Sequence, residues 1–195
     1  MSGTIFFPQL YQAFQRENPE ITLLITECGS LHAEKLLARG ELDLAMATLP
    51  ASPSPEFSYL RLARTQLMLC VSPAHRLANA PSVDISMLRD EPLVLFGTDT
   101  APSRAVLSLF AERQLRPNVL LYSSQLSMIQ QFISDGTAAA FLLDALARRE
   151  PGLVAVPFST PVYFDTVLLW KRGQYLYNDV ECFLRFAKDF HFQDI

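Results

Sequence analysis

The spacing of apolar residues changes several times along this chain. Phe7, Leu10, Tyr11 and Phe14 recur at i, i+3, i+4 and i+7, which lines one face of a helix. Asn18-Pro19 ends it, because the residue before a proline avoids the helical region of backbone space. ITLLI (21–25) is a continuous apolar run with β-branched residues and predicts a buried strand. Ser30 is placed to cap a following helix, with Ala33, Leu36 and Leu37 inward and Gly40 at its end. ELDLAMA (41–47) then alternates as a second strand. Strand, helix and strand joined by short turns make a βαβ unit, which predicts a parallel sheet.

TLPASPSPEF (48–57) holds three prolines and predicts a loop. TQLMLCVS (65–72) is an apolar strand, and a second alternating series follows. LVLF (93–96) predicts a strand and PSRAVLSLFAERQ (102–114) a helix with Val106, Leu109 and Phe110 inward. NVLLY (118–122) is a strand, and SQLSMIQQFISDG (124–136) is a helix on the stripe Leu126, Ile129 and Ile133, stopped by Gly136. TAAAFLL, LVAVPF and DTVLLW supply further strands, with a short helix near 143–149 and a last one over LYNDVECFLRFAKDF, where Val180, Phe183, Leu184 and Phe186 face inward. The expected architecture is α/β, in two lobes. One comprises residues 1–71 with 162–195 and the other residues 72–161, so the chain crosses near Val71-Ser72 and again near 161–164. Ligands of such sheets bind in the crevice at the carboxyl ends of the parallel strands.

Composition narrows the function classes. The net charge is −4, and the 16 basic residues never run longer than two in a row. Phosphate backbones need clustered Lys and Arg, so this chain is not expected to hold DNA by itself. Its three cysteines lie far apart, which suggests a reducing compartment and no disulfide framework. His32, His75 and His191 form no metal-ligand spacing with them, and no metal or cofactor is expected. The opening MSGTIFFPQLYQAF lacks a basic n-region and a cleavage site, and no apolar run is long enough to span a bilayer. A cytoplasmic location and no membrane partner are the expectation.

ECGSLH (27–32) carries the densest chemistry. Read as a nucleophile, Cys28 precedes a helix N-terminus, which lowers a thiol pKa, and His32 is near in sequence. A second His and an Asn in suitable context are missing, since His191 stands close to the chain's end. No G-x-S-x-G, G-x-G-x-x-G or P-loop occurs. Read as an anion site, the turn through Gly29 and Ser30 opens a helix whose first N–H groups lack partners. Ser30 serves either as an ordinary cap or as a ligand contact. FGTDTAPSR (96–104) and YSSQ (122–125) repeat the arrangement of strand end, small polar turn and helix start. Arg104 is placed to pair a carboxylate bidentately, or else is a solvated surface residue. Asp99 in the same turn opposes an anion unless it faces away.

PQLYQAFQRENPEITLLITECGSLHAEKLLARGELDLAMATLP resembles the start of a LysR-type transcriptional regulator effector-binding domain. The matching residues are Pro8, Leu10, Phe14, Pro19, Ser30 and Gly40-Glu41-Leu42-Asp43. LCVSPAHRLA (69–78), ISMLRDEPLVLF (85–96), ISDGTAAAFLL (133–143) and DTVLLWKRG continue the series, so the resemblance covers nearly the whole chain. It implies two Rossmann-like lobes joined by two crossover strands, similar to type 2 periplasmic binding proteins, with a small molecule, often an organic acid, bound between them. The family's ligand contacts match Gly29, Ser30 and Leu31, Gly97 and Thr98, Ser123 and Ser124, and the strand near Phe141. It also implies a homodimer. The family's first strand would precede Thr4, where only MSG stands, and its winged helix-turn-helix is absent. The chain is therefore expected to be the regulatory portion of a longer regulator that reaches DNA only through that missing domain. A transport solute-binding protein and a cysteine hydrolase built on Cys28 are the competing readings.

Overall fold

Two strands carry the chain from one packing unit to the other. The computed structural model describes residues 2–50, 52–150 and 152–192. Unit 1 comprises Met1–Arg64 with Asp165–Ile195, and unit 2 comprises Thr65–Phe164. The passages fall inside β2 (Phe57–Val71) and β7 (Tyr163–Lys171), at Arg64/Thr65 and Phe164/Asp165. The sequence places them near 71–72 and 161–164.

In unit 1, β1 (Ala45–Leu49) runs antiparallel to β7, from Ala45 opposite Leu169 to Leu49 opposite Asp165. Alternation along this pair gives the sheet two apolar faces. Ala45, Ala47, Leu49, Val167 and Leu169 pack under Ala33 and Leu37 of α2 (Ser30–Arg39). Met46 and Leu168 pack under Leu10 and Phe14 of α1 (Ser2–Glu17) and Phe183 and Ala187 of α6 (Asn178–Asp189). Phe14 meets Phe183 and Phe186 edge to face, with centroids 4.9 and 5.4 Å apart. Because α1 starts earlier than the periodicity suggested, its buried stripe is Phe6, Leu10 and Phe14. Phe7 and Tyr11 stack on each other at the flank, half-buried. Gly40 closes α2 at φ 73°, returning its N–H to Leu36 and Leu37.

Three expectations change here. ITLLI is not a strand: residues 21–29 belong to no strand or helix. Ile21 is buried against the α1/α6 core, but Leu24 is 97% exposed and Ile25 52%. A strand exists through its ladder, and among the described residues none pairs with 22–29. ELDLAMA contributes only from Ala45 onward, and β1 pairs antiparallel, so among the described residues unit 1 holds no parallel βαβ pair. Ser2 and Gly3, where the family's first strand would stand, open α1 instead. Met1, Ala51 of the 48–57 loop and residues 193–195 lie outside the described residues.

Unit 2 is a mixed sheet. β3 (Pro92–Phe96) lies parallel to both β4 (Asn118–Ser123) and β5 (Ala139–Leu143), and β2 pairs antiparallel with β5 and with β6 (Val154–Pro157). α3 (Ala101–Glu112) and α4 (Leu126–Ser134) bury Val106, Phe110, Ile129 and Ile133, and α5 (Asp144–Ala147) follows β5. Leu93, Val94 and Leu95 are buried in sequence, the pattern of a strand covered on both faces. The loop between β2 and β3 is pinned by Glu91. Leu77 N–H donates to His75 Nδ1 (3.2 Å), so the ring proton sits on Nε2 and is donated to Glu91 Oε1 (2.8 Å). Arg76 donates to Glu91 Oε2 (2.6 Å) and to the Met87 carbonyl (2.8 Å). Burial alone would raise the Glu91 pKa, but the hydrogen bonds from His75 and Arg76 and the charge of Arg76 hold it below the ordinary value.

Phe14→Ala should lower the unfolding free energy by about 3–5 kcal/mol, read by urea denaturation, because the cavity opens among three rings. A folded-state pKa below the unfolded one stabilises above the unfolded value, about 4.3 for Glu, and that contribution disappears as pH falls through the folded value. Glu91→Gln should therefore lower Tm at pH 6, with the gap to wild type closing below about pH 4.3.

Candidate functional site

Unit 1 presents one polar corner. Gly29, at φ −68° and ψ 152°, is the N-cap of α2, and its carbonyl takes the His32 and Ala33 N–H groups (2.9 and 3.0 Å). Ser30 is the first helical residue and makes no capping bond, which corrects the expected cap. The extended residue that turns the chain into the helix is the glycine. Ser30 and Leu31 thus offer first-turn N–H groups, the Ser30 hydroxyl is unengaged among the described residues, and the first turn holds no acidic residue. Lys171, the last residue of β7, donates to the Ala38 carbonyl near the far end of α2 (2.7 Å). Ten helical residues span about 15 Å, so the Gly29–Leu31 turn stands toward the opposite end of the ladder, where Thr48 faces Thr166.

That end holds residues the sequence reading passed over. Thr48 is 4% exposed and Thr166 0%, and neither hydroxyl has a partner among the described residues. They are directly opposed across the ladder. Asp165 follows, with Oδ1 3.4 Å from Arg64 Nε and Oδ2 3.8 Å from Arg61. Polar residues at facing positions of two apolar strands were the available signal.

Unit 2 presents a second corner. Phe96 is in register with Ser123, so Gly97 and Ser124 leave adjacent parallel strands side by side. Thr100 caps α3 and donates its hydroxyl to the Gly97 carbonyl (2.9 Å), and Ser103 donates to the Phe96 carbonyl (2.9 Å). Arg104 folds back over this turn, donating to the Asp99 carbonyl (2.8 Å) and more loosely to that of Thr98 (3.4 Å). The Asp99 carboxylate lies over Gly97: a β-carbon on Gly97 would stand 2.7 Å from its Oδ1. Ser123 is buried, and its hydroxyl accepts the Gln125 N–H (3.0 Å), while Ser124 is exposed. Phe141 does not join the corner. It is 4% exposed and stacked on Phe158 at 5.8 Å. The structure therefore gathers Gly97, Thr98, Arg104, Ser123 and Ser124 in unit 2, and Gly29, Ser30 and Leu31 in unit 1.

Cys28 is exposed two residues before α2, with His32 exposed in its first turn. His191 Nδ1 lies 3.0 Å from the Asp189 carbonyl. Burial pushes the Cys70 thiol up to about 12 despite a bond to the Leu142 backbone. Among the described residues no cluster of three or more His, Cys, Asp or Glu is arranged for a metal, and no helix is long and apolar enough to cross a membrane.

The model of the LysR substrate binding domain matches residues 1–191. The chain belongs to the LysR substrate-binding domain family. This LysR domain is 28% identical over 193 residues to the uncharacterized HTH-type transcriptional regulator YwbI of Bacillus subtilis, covering 97% of this chain and 64% of that protein. It thus spans somewhat less than two thirds of that relative's length. Its fold matches the C-terminal domain of a probable LysR family transcriptional regulator from Rhodococcus sp. RHA1, with a TM-score of 0.82 and 23% identity over 95% of this chain and 93% of that one. It also matches the Synechocystis PCC6803 CcmR regulatory domain in complex with 2-PG, with a TM-score of 0.86 and 19% identity over 96% and 91%. The α/β architecture of two lobes, similar to type 2 periplasmic binding proteins, is that of LysR effector-binding domains. The relatives are transcriptional regulators, and neither the transport nor the hydrolase reading is favoured.

A buried hydroxyl without a partner costs about 1–3 kcal/mol. Thr48→Val and Thr166→Val should each raise the stability of this LysR domain by about 1 kcal/mol in urea denaturation, since the isostere keeps the shape and removes the orphan.

Proposed function

We propose that this chain is the sensing part of a longer LysR-type regulator and binds a small effector, an organic acid or similar metabolite. The Gly29–Leu31 turn takes its anionic group. One observation carries the reading: the α2 N-terminus holds an unengaged hydroxyl, unpartnered first-turn N–H groups and no acidic residue. The unpartnered Thr48 and Thr166 hydroxyls lie on the α1/α6 face of the ladder, not on the face that α2 covers, and take no part in this reading. The Gly97–Arg104 turn and Ser124 form a separate candidate contact within unit 2. That a small molecule is held by a solved relative of the same fold supports the reading.

An effector acts only through unequal affinity for two states of the protein. The readout here is a change of assembly geometry in a homodimer, passed to a DNA-binding segment of the larger protein. With a net charge of −4 and no run of basic residues longer than two, this chain offers little with which to hold DNA phosphates alone.

Thermal-shift screening with purified organic acids, amino acids and sugars should find at least one compound that raises Tm. A ligand at a hundred times its Kd stabilises by about 2.7 kcal/mol. Ser30→Ala should weaken that compound about five- to tenfold, one lost hydrogen bond to a charged group, while leaving the ligand-free Tm unchanged. Failure of every compound, or an undiminished affinity in Ser30→Ala, would count against the reading.

A further inference from the structure

The turn after β3 holds charges of both signs that do not neutralise each other. Asp99 Oδ1 lies over Gly97, close enough that a β-carbon there would stand 2.7 Å away. Five residues on, Arg104 reaches back with one nitrogen to the Asp99 and Thr98 carbonyls. These bonds fix the guanidinium against the turn and leave its other N–H groups unengaged. Asp99 and Arg104 form no ion pair with each other or with any other side chain among the described residues. The two hydroxyls nearest α3, on Thr100 and Ser103, already donate to backbone carbonyls. The free groups of this corner are thus a carboxylate, part of a guanidinium, and the exposed hydroxyls of Thr98 and Ser124.

A turn built to take an anion alone has no use for Asp99. A carboxylate beside Gly97 repels a ligand carboxylate and attracts an ammonium group, whereas Arg104 does the reverse. We propose that the Gly97–Arg104 turn reads a zwitterion, Arg104 taking a carboxylate and Asp99 an ammonium group, so that the ligand read at this unit 2 corner is an amino acid. Gly97 is the positioning residue, because only a glycine leaves room for the Asp99 carboxylate where it lies. This assignment rests on the effector reading and narrows its ligand class.

The test uses the full chain, ¹⁵N-labelled, titrated with each of the twenty common L-amino acids. Every one that binds is compared with the acid lacking its amino group. At least one amino acid should move the Thr98, Asp99 and Ser124 amide signals saturably and bind at least about tenfold tighter than its deaminated counterpart, the scale of one charge-assisted hydrogen bond. Asp99→Asn should bring that ratio close to one. Gly97→Ala should do the same at unchanged Tm, because its β-carbon meets only the end of a flexible side chain and pushes the carboxylate aside. Equal binding of the deaminated acids, a ratio untouched in both variants, or no amino acid binding at all overturns the assignment. Organic acids that still move the Ser30 and Leu31 signals in that last case leave the effector reading standing. Silence at both corners removes both.

Discussion

Five residue pairs between β1 and β7, from Ala45 opposite Leu169 to Leu49 opposite Asp165, organise unit 1. The pairing satisfies backbone groups that the helices above and below shut off from water. It also sets which side chains share a face. Odd positions of both strands meet α2, and even positions meet α1 and α6. Because the register is a matter of single residues, it also decides that Thr48 and Thr166 stand opposite each other as buried hydroxyls. A slip by one would exchange the two faces and bury different side chains.

The same constraint explains what lies outside the ladder. Residues 22–29 are as apolar as β1 for much of their length, yet Leu24 and Ile25 face solvent. Hydrophobicity places a segment near a core only when its backbone finds partners there. From this unpaired stretch the chain turns through Gly29 directly into α2, and the helix opens with no acid and no side-chain cap. The Ser30 and Leu31 N–H groups have no partner among the described residues.

In unit 2 the parallel register of β3 and β4 plays the corresponding part. Phe96 beside Ser123 brings two turns together that are more than twenty residues apart in sequence. Within that corner the hydroxyls divide by direction. Those of Thr100, Ser103 and Ser123 hold the turns in shape, and those of Thr98 and Ser124 face outward. The charges divide in the same way, with Arg104 anchored by backbone carbonyls and Asp99 lying over Gly97.

Much of this was legible in the residues. Helical spacing located α1, α3, α4 and α6, and Gly40 and Gly136 marked helix ends through their left-handed backbone. The ordered motifs by themselves point to the LysR domain. Local sequence determines such features because caps, periodicity and glycine turns act over three or four residues. It could not determine which apolar runs pair, so ITLLI read as a strand and the unit 1 pairing read as parallel. Nor could it show that Phe141 stacks inward on Phe158, that Gly29 and not Ser30 caps α2, or that Asp99 turns toward Gly97. Those outcomes depend on partners distant in sequence or on which way one side chain points, and only the folded chain settles either.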